Sequence, residues 1–217
     1  MKSPELRKEL SELVLHKRGI RLNLQQAVIE SEEEITVRDM PSVWRRLQAL
    51  ALTQQCRSQR LTPQQAQALL QDDNLRQALS HAECSALNDA ATDWRRVLPE
   101  NPHALRFLAW CCGLQQQAGM PEPRKNDDDL AALCERISLT DAPPSPALML
   151  RSKSELLDWA DLLYRLHWAV RHAQLMDKPV PGRLDALAVS GWHKTINWLI
   201  CYEDQDDWDQ ISTETAG

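Results

Sequence analysis

Apolar side chains recur along most of this chain every three or four residues, the spacing of one helix face. Capping signals precede most of these runs. Ser3 before Pro4 has the form of an N-cap followed by proline at the first helical position. Leu6, Leu10, Leu13 and Val14 then fall on one face, and Gly19 is the C-cap candidate. The next stretch breaks the pattern. Ile20, Leu22 and Leu24 alternate with Arg21 and Asn23 as in a half-buried strand, which admits a short β-ribbon near residues 20–37. Glu32 to Glu34 reads as a solvated turn.

Helical spacing resumes after Asp39, with Val43, Leu47, Leu50 and Ala51 on one side. Thr62 to Gln65 has the capping-box form. Leu75, Leu79, Ala82, Ala86, Ala90, Trp94 and Val97 step by three or four and predict one long helix ending near Pro99. Asn101-Pro102 opens another, with Leu105, Leu108 and Cys112 inward and Gly119 past its end. Asn126 is the next cap. The run Asp127, Asp128, Asp129 sits in the first turn behind it, where negative charge suits the helix dipole, a simpler reading than a metal site. Pro143, Pro144 and Pro146 make residues 139–150 a connector inside one helical domain spanning 1–217.

Ser152 to Glu155 is a further capping box. Behind it Leu156, Trp159, Leu162, Leu163, Leu166, Ala169, Val170 and Ala173 form one broad apolar face, and Asp158, Asp161, Arg165 and His172 lie opposite. A last helix is expected from about Asp185 to Tyr202, with Val189, Trp192, His193, Ile196 and Ile200 inward. The fold class that follows is all-α, with about seven to eight helices.

A chain of 217 residues can bury a sufficient core without disulfide or metal. It has no run of 18 apolar residues, and its charged first ten residues do not form a signal peptide. A cytoplasmic protein off the membrane is therefore expected. The six cysteines form no CxxC pair, so reduced, buried thiols are the expectation. The net charge of −6 is uneven: residues 1–60 carry +3, residues 61–150 carry −5 and residues 151–217 carry −4. That balance disfavours nucleic acid and suits a basic partner. Eight tryptophans stand against one phenylalanine. Each buried one contributes about 4–6 kcal/mol by area, so Trp208 in the acidic tail predicts that the tail packs back onto the body.

Three stretches carry a family resemblance: Arg151 to Leu156 with Asp161 and Tyr164 to Val170; Gly182 to Asp185 with His193 and Asn197 to Ile200; and Trp208-Asp209 with Ser212 to Thr215. Gly19-Ile20, Val28 to Glu33, Arg38 and Phe107 to Trp110 extend it. Together they resemble the bacterial family known as domain of unknown function 4272, across nearly the whole chain. The resemblance implies one domain and no particular activity. The chain departs from it before His193, where the family often has Glu-Arg and this sequence has Gly191-Trp192.

Acid–base chemistry needs histidines and carboxylates converging in one pocket. The groups available are His167, His193, Asp158, Asp161 and Arg165, between the helices around 152–176 and 185–202. They define the enzymatic alternative, a hydrolase or transferase. Yet His167 lies nearly opposite Asp158 on its helix, His193 lies in an apolar stripe, and Asp158, Asp161 and Arg165 have the spacing of surface ion pairs. No HExxH, GxSxG, P-loop or GxGxxG motif is present, and no metal or cofactor is expected. The preferred expectation is a non-catalytic module that binds another protein, such as a basic toxin, as an immunity-type or accessory protein. Asp206, Asp207, Trp208 and Asp209 would meet that partner, the aromatic ring anchoring and the charges steering.

Overall fold

Helices begin where the sequence supplies caps. In the computed structural model, which describes residues 2–88, 93–124, 128–140 and 148–215, α1 (Pro4–Lys17) starts on Ser3, whose Oγ accepts from the Leu6 N–H. Asp39 caps α2 (Met40–Arg57), and the full Thr62/Gln65 box caps α3 (Pro63–Leu69). Ser152 caps α9 (Lys153–Leu175), and Asp185 caps α10 (Ala186–Leu199) through two backbone N–H groups. Between them lie α4 (Asp73–Ala78), α5 (His81–Asn88), α6 (Trp94–Val97), α7 (Pro102–Cys111) and α8 (Asp128–Arg136). The described residues hold these ten α-helices and no strand, an all-α architecture.

Two local expectations are corrected. The single helix over Leu75–Val97 is α4, α5 and α6. Leu79 is extended, and Ser80 then restarts the helix by accepting from the Glu83 N–H while the Glu83 carboxylate accepts from the Ser80 N–H. That reciprocal cap outweighs the apolar spacing running through it. The ribbon near 20–37 is the other: no described residue there is in a strand. Its backbone groups are met by helices instead. Lys8 donates to the carbonyls of Leu24 and Gln26, Arg165 to that of Ala27, and Lys153 to those of Glu32 and Ile35, while the Arg38 N–H donates to Leu199. The roles given to Ala90, Asn126, Asp127, Pro143, Pro144 and Pro146 lie outside the described residues.

α9 and α10 pack on one another, α10 packs on α7, and α7 packs on α2. At the α7–α9–α10 junction the single phenylalanine stacks between two tryptophans, Phe107 to Trp192 at 4.7 Å and to Trp110 at 5.4 Å, with Trp159 edge-on to all three. Such pairs add about 0.5–1.5 kcal/mol each beyond area burial. The far end of α2 carries Leu52 and Cys56 into a second apolar group with Ala66, Leu70, Leu75, Leu87, Trp94 and Leu98. No helix among the described residues is long and apolar enough to cross a membrane.

Gly182 lies in the turn before α10 at φ +62°, and a Cβ there would come within 2.6 Å of the Ile20 side chain. Ile20 is itself buried. Gly182→Ala therefore lowers stability by about 2 kcal/mol, from left-handed strain together with the displaced isoleucine; urea unfolding measures it.

Candidate functional site

α9 has two buried faces, and this decides where the chemistry-bearing residues go. Its apolar face meets α10. Its polar face is covered by α1 and by the extended segment between α1 and α2. His167 and His193 meet across α9 and α10 with Nδ1 to Nδ1 at 2.9 Å. Asn197, one turn after His193, donates from Nδ2 to the Ser212 carbonyl at 2.9 Å and to His193 Nε2 at 3.3 Å. That assigns the tautomers: His193 holds its proton on Nδ1 and donates it to His167 Nδ1, so the His167 proton is on Nε2. Each of the three stretches that carry the family resemblance supplies part of this chain. Burial, reinforced by the positive charge of Arg171, holds His167 down to about 4; burial, with His167 and Arg171, holds His193 down to about 3. Both rings are neutral at physiological pH, and no carboxylate among the described residues hydrogen-bonds to either.

The carboxylates and the arginine lie on the other side of α9. Asp161 and Arg165 form a bidentate pair at 2.7 and 2.9 Å, with side chains 0% and 1% exposed. This is a buried pair rather than the surface pair their spacing suggested, because the 20–37 segment closes over it. Asp158 binds Lys2 and Arg7. The five residues of the enzymatic alternative are thus divided between the histidine pair, the Asp161–Arg165 pair and Asp158, and of them only His193 lines a cleft that includes Asn197. Among the described residues, no three His, Cys, Asp or Glu side chains gather as a metal-binding group.

α1 meets this polar face with its own polar side. Arg7 is fully buried, bonded to Glu32 at 2.5 Å, to Asp158, to the Lys2 carbonyl and to Ser154. Glu32, expected in a solvated turn, is its counter-charge. Ser11 and Leu15 also point inward. Leu6, Leu10 and Leu13 are left outside, 43%, 42% and 46% exposed. An amphipathic helix ordinarily turns its leucines in; α1 turns them out because its docking surface is charged. The apolar spacing of α1 alone carried no sign of this. The signal was the matching polar stripe at Asp158, Asp161 and Arg165.

The tail folds back as expected. Trp208 is buried, flanked by the Arg46 guanidinium at 4.1 Å and the Lys194 ammonium at 5.5 Å, and edge-on to Trp198. Arg46 is buried against Glu83 through two 2.7 Å bonds. Asp206 accepts from Arg38, Asp207 caps its own turn, and Asp209 accepts from the Ala82 N–H at the start of α5. The ring assigned to a partner is engaged within the chain, while Asp206 and Asp207 remain exposed at the rim of a groove of about 540 Å³.

Burial pushes the thiols of Cys56, Cys112 and Cys134 up to about 12, 11 and 11, and raises those of Cys111 and Cys201. All six thiols are free, and these five are held as the poorly nucleophilic protonated form. Where the resembled family often has Glu-Arg before the histidine, Trp192 fills the aromatic core, and a Cβ at Gly191 would meet the His103 Cβ at 3.3 Å. The departure therefore suits packing against α7.

The family model described as Domain of unknown function (DUF4272) matches residues 7–211. No curated protein and no solved structure matches the chain.

Proposed function

This chain belongs to the DUF4272 family, whose description assigns no activity, and from the chain's own surfaces we propose a non-catalytic module that binds another protein. One observation carries the reading: α1 buries Arg7 and Ser11 and turns Leu6, Leu10 and Leu13 to solvent. Three leucines at i, i+4 and i+7 are the anchor spacing of a helix laid into an apolar groove. Exposed apolar stripes of this kind mark interaction sites. Glu5 and Glu9 are exposed on the same helix. Lys17 is exposed on it as well, and the acidic excess of the chain lies in residues 61–217, where the exposed Asp206 and Asp207 supply a field that steers a basic partner. The role is that of an immunity-type antagonist or an accessory protein. The division of the histidines, carboxylates and arginine supports the non-catalytic half of the reading.

The test compares tagged wild type with Leu10→Glu in the cells where the chain is native. The substitution sits on an exposed face, so the fold and its melting temperature are unchanged. A protein held stoichiometrically by wild type and lost on substitution, a cost of about 2 kcal/mol or roughly thirtyfold in affinity, is the expected result. A partner retained equally by both forms would overturn the reading. So would a homodimer that Leu10→Glu dissociates, which would put a second copy of the chain on the stripe.

A further inference from the structure

Beside the histidine chain lies a cleft of about 230 Å³, lined by Glu30, Tyr164, His193, Asn197, Tyr202 and Glu214. Its polar groups share one character. Glu30 and Glu214 are carboxylates that take no hydrogen bond or ion pair from any described residue. Asn197 is only 6% exposed, and both its Nδ2 bonds are used, to Ser212 and His193. The Ser212 carbonyl fixes that amide orientation, since only the nitrogen can donate to it. The Asn197 Oδ1 is therefore a nearly buried acceptor that receives no bond from the described residues. Tyr164 and Tyr202 add two ring faces, and the Tyr202 hydroxyl is engaged by the Glu203 side chain. No lysine or arginine among the described residues lines the cleft. The Arg165 guanidinium, 5.8 Å over the Tyr164 ring, is already neutralised by Asp161. Burial, together with the negative charge of Glu203 and Glu30, raises Tyr202 above its ordinary value, so its hydroxyl stays neutral.

A cleft with two carboxylates that pair with no described residue, an open amide oxygen, two aromatic rings and no lysine or arginine in its described lining selects a positively charged donor; the Arg171 charge that reaches His193 comes from outside that lining. Carboxylates supply charge-assisted hydrogen bonds, and aromatic faces attract cations. The volume is below that of sites for drug-sized ligands, about 300–1,000 Å³, and suits one ammonium or guanidinium group on a short aliphatic stem. We propose that this cleft is a binding site for an organic cation with N–H donors, held by Glu30 and Glu214 at the mouth and by Asn197 Oδ1 at the floor. The cation is either a free amine or the lysine or arginine side chain of a bound protein. The cleft is separate from the leucines of α1, and Leu10→Glu leaves it intact.

The experiment titrates the full chain with agmatine, with a pentapeptide carrying one arginine between glycines, and with 3-methyl-1-butanol as an uncharged probe. Calorimetry gives the affinity, and the side-chain amide resonance of Asn197 reports the place. Saturable agmatine binding that moves this resonance, weakened about tenfold by Glu30→Gln and again by Glu214→Gln, is the result expected for a free amine. The same pattern with the peptide alone assigns the site to a protein side chain. Neither carboxylate bonds to a described residue, so both variants are expected to retain the wild-type melting temperature. The proposal is overturned if neither cation binds, if the alcohol binds as well as they do, or if the double variant binds unchanged.

Discussion

Asp161→Ala lowers the stability of this protein by about 3–5 kcal/mol, the cost of removing one member of a buried ion pair. The Arg165 side chain is 1% exposed, and its guanidinium shares two short bonds with a carboxylate that is not exposed at all. Its remaining bond goes to the Ala27 carbonyl, and its Nη1 has no partner among the described residues. Without Asp161 a full positive charge is left in a closed space between α9 and the segment that covers it. The pair need not stabilise the protein relative to apolar residues of the same shape. Asp161→Leu with Arg165→Met is expected to recover most of the loss. Urea unfolding of the single and double variants measures both effects. A single variant within 1 kcal/mol of wild type would mean that water reaches the pair.

The second large effect comes from acid. In the unfolded chain both imidazoles titrate near their ordinary value of 6.5, whereas in the fold His167 is held at about 4 and His193 at about 3. As pH falls below about 6.5 the unfolded chain takes up protons that the folded chain refuses. Stability is thus fully present above that pH and is lost progressively down to the folded values. Between pH 7 and 5 the loss is on the order of 3 kcal/mol. Chemical denaturation at a series of pH values reads the slope. His193→Gln removes one titrating ring and flattens it, although that variant is less stable at pH 7 because Asn197 and His167 lose their partner.

These two effects concern groups whose presence was plain in the sequence and whose surroundings were not. Ser3, Asp39, Thr62, Ser152 and Asp185 announced their helices because a cap acts within four residues. The apolar face of α9 was legible for the same reason, as a property of one helix. Whatever depended on a second element was hidden. Spacing placed Asp161 and Arg165 on a shared face but not beneath the 20–37 segment. Leucine periodicity in α1 gave the amphipathic stripe but not its direction, which is set by the charged surface of α9. Trp208 could be placed inside because an indole among aspartates has a large area to bury, but the Arg46 side of its clamp comes from more than a hundred positions away. The bond from His193 to Asn197 had a local signal, the i, i+4 spacing. The cleft did not, since Glu30, Tyr164 and Glu214 come from three separate parts of the chain.

In the proposed function α1 is the surface that meets a partner, whereas the histidine chain between α9 and α10 ties the tail down through the Asn197 bond to the Ser212 carbonyl. The most direct measurement records partner retention and melting temperature together for wild type, Leu10→Glu and His193→Gln, below the melting point of all three. Leu10→Glu is expected to lose the partner and keep its melting temperature, and His193→Gln to melt lower and keep the partner. A folded His193→Gln that releases the partner, or a Leu10→Glu that still holds it, would contradict the account.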